Sequence, residues 1–122
     1  MKRYGTELIF DVHDCSTRNF DSYKLQEFVK ELCKKINMKV MRIHIWDFDT
    51  KEEREKAPPH LAGVSVCCFI QTSSIVVHTL DKLKKVFVNC FSCKDFNSNT
   101  VIDFTEEFFS GKMDKMHFIE RK

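Results

Sequence analysis

Between Val64 and Leu80 an apolar run is broken by Ser65, Thr72, Ser73, Ser74 and His78, and Cys93 stands fifteen residues beyond His78, closing the next apolar run. Hydroxyl, imidazole and thiol together offer a nucleophile, a base and an acid. Each such group costs about 1–3 kcal/mol when buried without a partner, so their place inside strand-like sequence asks for a use. If the chain reverses near Thr72–Ser73, Ser65 comes within a residue or two of pairing with His78. If the next hairpin turns at Asp81–Lys84, Cys93 returns beside Thr72–Ser73. Three strands would then gather the reactive groups in one small region. The plainer alternative gives the serines a hairpin turn, His78 a backbone carbonyl, and Cys93 a place as a small hydrophobe.

Other chemistries find less support. "CFSC" at 90–93 matches C-x-x-C. In a strand, however, residues three apart point to opposite faces, and no second pair has zinc-ligand spacing. His13, His44, His60 and His117 are scattered and make no metal motif, so no metal is expected. There is no Gly-rich phosphate loop. A net charge of +2 is too small to argue for nucleic acid or a membrane surface. No run approaches the ~20 apolar residues of a membrane span. The N-terminus lacks the apolar core of a signal peptide. The six cysteines therefore read as reduced thiols of a cytoplasmic protein rather than a disulfide framework.

The elements that must position these residues follow from periodicity. "GTELIFDVHDC" (5–15) alternates Leu8, Phe10 and Val12 and reads as a strand. From Asp21 to Ile36 the residues Leu25, Phe28, Val29, Leu32 and Ile36 recur at helical spacing, with Asp21 or Ser22 as cap. Residues 38–48 read as a strand. Residues 49–63 read as a charged loop, with room for a helical turn, closed by Pro58 and Pro59. "VSVCCFIQ", "SIVVHTL" and "KKVFVNCF" are three apolar strands, the first two separated by "TS". Ser98 to Ser110 reads as a second helix, and "KMHFIE" as a last strand. The expected fold is α+β over residues 1–122 as one domain: a two-layer α/β sandwich, mostly antiparallel sheet, with two helices on one face. The central strands look apolar on both faces, which predicts a homodimer covering the second face.

The meander adds a family. "GVSVCCFIQTSSIVVHT" followed by "FSC" resembles the small prokaryotic S-adenosylmethionine decarboxylases, pyruvoyl-dependent enzymes made as self-cleaving proenzymes. Members carry a "GVSG" strand, a Glu-Ser-His cleavage site, a His-Thr-Trp-Pro-Glu segment and a Phe-Thr-Cys strand end. Without gaps, Ser65 falls on the strand serine, Ser73 on the cleavage serine, His78 on the motif histidine and Cys93 on the cysteine. "GTELIFDVHDC" and "MHFIERK" resemble the family's first and last strands, so the likeness spans nearly the whole chain.

The resemblance implies self-cleavage between Thr72 and Ser73, into chains 1–72 and 73–122. Ser73 Oγ would attack the Thr72 carbonyl in an N-to-O acyl shift, which needs a strained turn and a stabilised oxyanion. Ser65 and His78 would supply hydrogen bonds, and His78 could take the Ser73 α-proton. Ser73 would become the pyruvoyl cofactor, whose carbonyl forms a Schiff base with the substrate amine and acts as an electron sink. Cys93 would return a proton to the α-carbon. Ser74 is an alternative cleavage serine, but its spacing to His78 is one residue short.

The departures fall on the substrate. Thr72 and Ser74 replace the family's Glu and His around the cleavage serine. Leu80 stands where an aromatic would stack on adenine, and Lys82 where a glutamate would grip the ribose hydroxyls, with Asp81 one position away as a substitute. Phe48 falls near a second adenine-stacking aromatic. The implied activity is decarboxylation of S-adenosylmethionine, supplying aminopropyl groups for spermidine and other polyamines. Two alternatives stand beside it. One is the same chemistry on ornithine or arginine, with the acidic loop Asp47, Asp49, Glu52 and Glu53 receiving a distal cation. The other is an unprocessed, non-catalytic family member.

Overall fold

A computed structural model describes residues 3–122. The strands are β1 (Gly5–His13), β2 (Val40–Trp46), β3 (Ser65–Ile70), β4 (Ser73–Leu80), β5 (Lys85–Ser92) and β6 (Lys112–Arg121). They form one six-stranded sheet in the order β2-β3-β4-β5-β1-β6, and every neighbouring pair is antiparallel. The helices are α1 (Ser22–Lys35), α2 (Lys51–Lys56) and α3 (Ser98–Phe109). The expected α+β sandwich is therefore the observed one, with a third, short helix inside the segment read as a charged loop.

Alternation decides the faces. On β4 the odd residues Ser73, Ile75, Val77 and Thr79 are buried, while the even ones are half-buried or exposed. Leu8, Phe10, Val66, Cys68, Val88 and Cys90 join the same buried layer. Against it lie α1, through Leu25, Phe28, Val29, Leu32 and Cys33, and α3, through Val101, Ile102, Thr105 and Phe109. Phe28 meets Phe104, Phe108 and Phe109 at ring-centroid distances of 5.0–5.4 Å and joins the two helices. Asp21 caps α1 by accepting from Lys24 N–H at 2.8 Å. Thr50 caps α2, where Glu52 and Glu53 occupy the first turn and Arg54 and Lys56 the last, as the helix dipole favours.

Among the described residues no helix covers the opposite face. Across it runs a row of directly opposed residues, Trp46, Ser65, His78 and Phe87, on β2, β3, β4 and β5. Toward the other end runs Arg42, Phe69, Ser74 and Phe91. Among the described residues no helix is long and apolar enough to cross a membrane.

Candidate active site

The β3–β4 hairpin turns at Gln71–Thr72, one residue earlier than the "TS" break implied, and Ser73 already pairs with Ile70 as the first residue of β4. Thr72 lies in the left-handed region at φ 52°. A β-branched residue is uncommon there, and such backbone stores on the order of 1–3 kcal/mol. The strain sits at the peptide unit whose carbonyl Ser73 Oγ would attack.

Four side chains meet at this turn. Ser73 is buried; its Oγ donates to Ser92 Oγ at 3.2 Å and accepts from Cys93 N–H at 3.3 Å. Cys93 Sγ lies 3.9 Å from Ser73 Oγ and 3.4 Å from Thr72 Oγ1. The Thr72 contact, and then Ser73, hold the Cys93 thiol below its ordinary pKa. Burial instead pushes Cys15 up to about 11 and Cys90 up to about 12. Cys93 is thus the exposed thiol with a lowered pKa, while Cys90 is sealed in the core on the opposite face.

Ser65 and His78 sit elsewhere. They are direct cross-strand partners, with Ser65 Oγ 2.6 Å from His78 Nδ1. That contact holds the ring through Nδ1. Ser73 and His78 are five residues apart on one strand. At about 3.3 Å per residue this is roughly 17 Å, and the odd separation puts them on opposite faces. The single cluster anticipated from sequence is therefore two half-sites at opposite ends of the β3–β4 hairpin.

Around the Ser65–His78 couple opens a cavity of about 450 Å³ whose lining includes Trp46, Phe48, His60, Leu61 and Leu80. Trp46 and Phe48 meet edge to face at 5.0 Å. Trp46 stands directly opposite Ser65 and leaves 58% of its surface open, so it is no core residue. Phe48 and Leu80 line this cavity; Asp81 and Lys82 do not. Leu80 shares the face of His78, two residues before it, and the chain turns away after Leu80. Asp81 Oδ2 binds Arg54 Nε at 3.1 Å, and Lys82 Nζ donates to the Ala57 carbonyl at 2.6 Å. Burial raises the Asp81 pKa, a shift that Arg54 partly offsets. Arg54 also reaches Asp47 at 3.5 Å, so this carboxylate of the acidic loop already has its cation.

The floor of this half-site is set by close approach. Thr79 Oγ1 accepts from Val64 N–H at 3.2 Å and donates to the Val64 carbonyl at 3.1 Å. This draws Gly63 so close that a Cβ there would overlap the Thr79 carbonyl oxygen.

Two residues escaped the sequence reading. Ser92 was visible only as the neighbour of Cys93, and its contact with Ser73 needs the β4–β5 register. Trp46 was visible as an aromatic two residues before Phe48, but its place beside Ser65 needs the β2–β3 register.

The family model described as S-adenosylmethionine decarboxylase matches residues 6–122. The chain belongs to the S-adenosylmethionine decarboxylase family. The match runs through both half-sites. Among solved structures, the adenosylmethionine decarboxylase of Aquifex aeolicus superposes with a TM-score of 0.79 over 99% of this chain and 92% of that one, at 16% sequence identity. That likeness establishes the decarboxylase fold. No curated protein sequence was found to match.

Proposed function

We propose that this family member is a proenzyme that cuts itself between Thr72 and Ser73, converts Ser73 into a pyruvoyl group, and decarboxylates S-adenosylmethionine for polyamine synthesis in the cytoplasm. The observation that carries the reading is the turn itself. A strained Thr72 precedes a buried serine whose hydroxyl is held by Ser92 and Cys93. Six unpaired cysteines suit a reducing compartment.

The self-cleavage chemistry uses the chain's own atoms. Ser73 Oγ bonds to the Thr72 carbonyl carbon, the C–N bond breaks, and the hydroxyl proton passes to the freed nitrogen. Loss of the Ser73 α-proton then expels the Thr72 carboxylate from Cβ. Water replaces the nitrogen, which leaves as ammonia. The residues present fit the resulting group: Ser73 opens a strand, beside an exposed thiol and against a cavity of about 250 Å³. When formed, a pyruvoyl group supplies the electron-withdrawing carbonyl on which an amino acid loses CO₂. Cys93 would hold and return a proton there. Cleavage removes Ser73 Oγ and frees Thr72, the two largest of the contacts that lower the thiol's pKa. Their loss shifts the thiol's pKa upward, the direction that favours a proton to give.

His78 cannot reach Ser73 of its own chain. We infer that the working unit is a homodimer packed through the uncovered sheet face. A two-fold axis near Val76, midway between the two ends, sets the Ser65–His78 couple of each copy against the Thr72–Ser73–Cys93 turn of the other. Phe69, Phe87, Phe91 and Trp46 lie on that face and supply apolar surface for the contact.

The cavity chemistry favours S-adenosylmethionine over a diamino acid. Among the described residues no carboxylate lines the space around Ser65 and His78. A distal ammonium or guanidinium would have no partner there, whereas a purine can lie against Trp46 and Phe48, and Leu80 need not stack. Lys82, tied to Ala57, does not oppose a sulfonium. CO₂ release should be seen with S-adenosylmethionine and not with ornithine or arginine. Trp46→Ala should lower kcat/KM by roughly ten- to hundredfold, matching about 1–3 kcal/mol for loss of a base-stacking aromatic. Turnover of ornithine or arginine, with none of S-adenosylmethionine, would overturn the substrate reading.

A further inference from the structure

Two groups are near enough to take the hydrogen bond of the Ser73 hydroxyl, and the geometry separates them. Ser92 Oγ is 3.2 Å from Ser73 Oγ, while Cys93 Sγ is 3.9 Å away. The first is a well-formed contact, and the second is at the outer edge for sulfur. Ser92 is 1% exposed, and its own oxygen is pinned by Lys94 N–H at 3.0 Å. On the other side, Cys93 N–H donates to Ser73 Oγ at 3.3 Å. One neighbour accepts and the other donates, so the Ser73 hydroxyl has a single direction in which to point. The backbone behind Ser92 is equally fixed. β1 passes so near that any side chain at Gly5 would overlap the Ser92 carbonyl oxygen. Alternation explains the division of labour at the end of β5. Ser92 faces the buried layer with Ser73, and Cys93 faces outward.

We propose that Ser92 is a positioning residue for self-cleavage: its Oγ accepts the Ser73 hydrogen bond and so sets the approach of Ser73 Oγ to the Thr72 carbonyl. The inference rests on the reading that the chain cuts itself at Thr72–Ser73. Ser92 neither gains nor loses an atom in that step. The Ser73 Oγ–carbon bond forms, the Thr72–Ser73 C–N bond breaks, and the proton ends on the freed nitrogen. Because the Ser73 oxygen leaves with Thr72, the contact exists only in the uncut chain.

The test is the rate of cleavage in full chains made by cell-free translation and followed by intact mass. Ser92→Ala should slow the cut by roughly 10–100-fold, the scale of a misplaced reactive group. Ser92→Thr, which keeps the hydroxyl, should stay within about threefold of wild type. Ser92→Cys keeps the volume with a weaker acceptor and should be slow at an unchanged melting temperature, which covers the case in which alanine fails to fold. Hydroxylamine captures an ester, so it should not restore the alanine rate, because the slowed step precedes the ester. Cleavage of Ser92→Ala at the wild-type rate, equal slowing in Ser92→Thr, or rescue by hydroxylamine would each overturn the inference. A wild-type chain that never cuts would refute the processing reading itself, and the inference with it.

Discussion

Two inactive chains should make an active enzyme. His78→Ala lacks the imidazole of one half-site, and Cys93→Ala lacks the thiol of the other; each alone should have little decarboxylase activity. The half-sites lie roughly 17 Å apart on one chain at strand rise, so under the proposed homodimer a complete site would draw on two copies. When the two variants are co-expressed, random pairing makes half of the dimers mixed. Each mixed dimer has one intact site of two, so activity should recover to about a quarter of wild type. Placing both substitutions in one chain and mixing it with either single variant should recover nothing. The result turns on where the residues sit rather than on how much each contributes. No recovery in the first mixture, with heterodimers verified by mass, would mean that each chain holds its site alone.

Gly63→Ala should be among the most damaging single changes in the chain. The added carbon would overlap the Thr79 carbonyl oxygen, which is backbone and cannot swing aside. Thr79 is 1% exposed and tied to Val64 through both its hydroxyl and its amide. The Gly63–Val64 segment must therefore lift away from β4 and carry Ser65 with it. Overpacking of this kind costs on the order of 3 kcal/mol. For a domain of this size that is a fall of about 10 °C or more in Tm. The Ser65–His78 contact should open as well, lowering turnover in whatever remains folded. Thermal melting within about 2 °C of wild type would show that this close approach is not what holds the half-site.

Much of this arrangement was legible because it rests on local periodicity. The alternation of Leu8, Phe10 and Val12 marked β1, and Leu25, Phe28, Val29 and Leu32 marked the buried face of α1. Counting back from a turn near Thr72 brought Ser65 to His78, and the structure pairs them directly. What escaped depends on distances that a linear chain hides. Five residues from Ser73 to His78 looked like proximity, but an extended strand makes them far and an odd count turns them apart. Arg54 looked like one charge among many in a loop. Folded into α2, it claims Asp47 and Asp81, and the carboxylates that the sequence reading offered to a substrate face a guanidinium instead. Trp46 carries no motif and Ser92 is only the middle of "FSC"; cross-strand register gives them their partners.

Intact-mass measurement of the purified wild-type chain beside Ser73→Ala tests the self-processing account most directly. The wild-type chain should resolve into two pieces, residues 1–72 with an ordinary carboxyl terminus and residues 73–122 beginning with a pyruvoyl group, whose carbonyl is reduced by borohydride with the matching gain in mass. Ser73→Ala should stay whole and release no CO₂ from S-adenosylmethionine. A wild-type protein that decarboxylates S-adenosylmethionine while remaining one uncut chain, or a Ser73→Ala chain that still breaks at this bond, would contradict it.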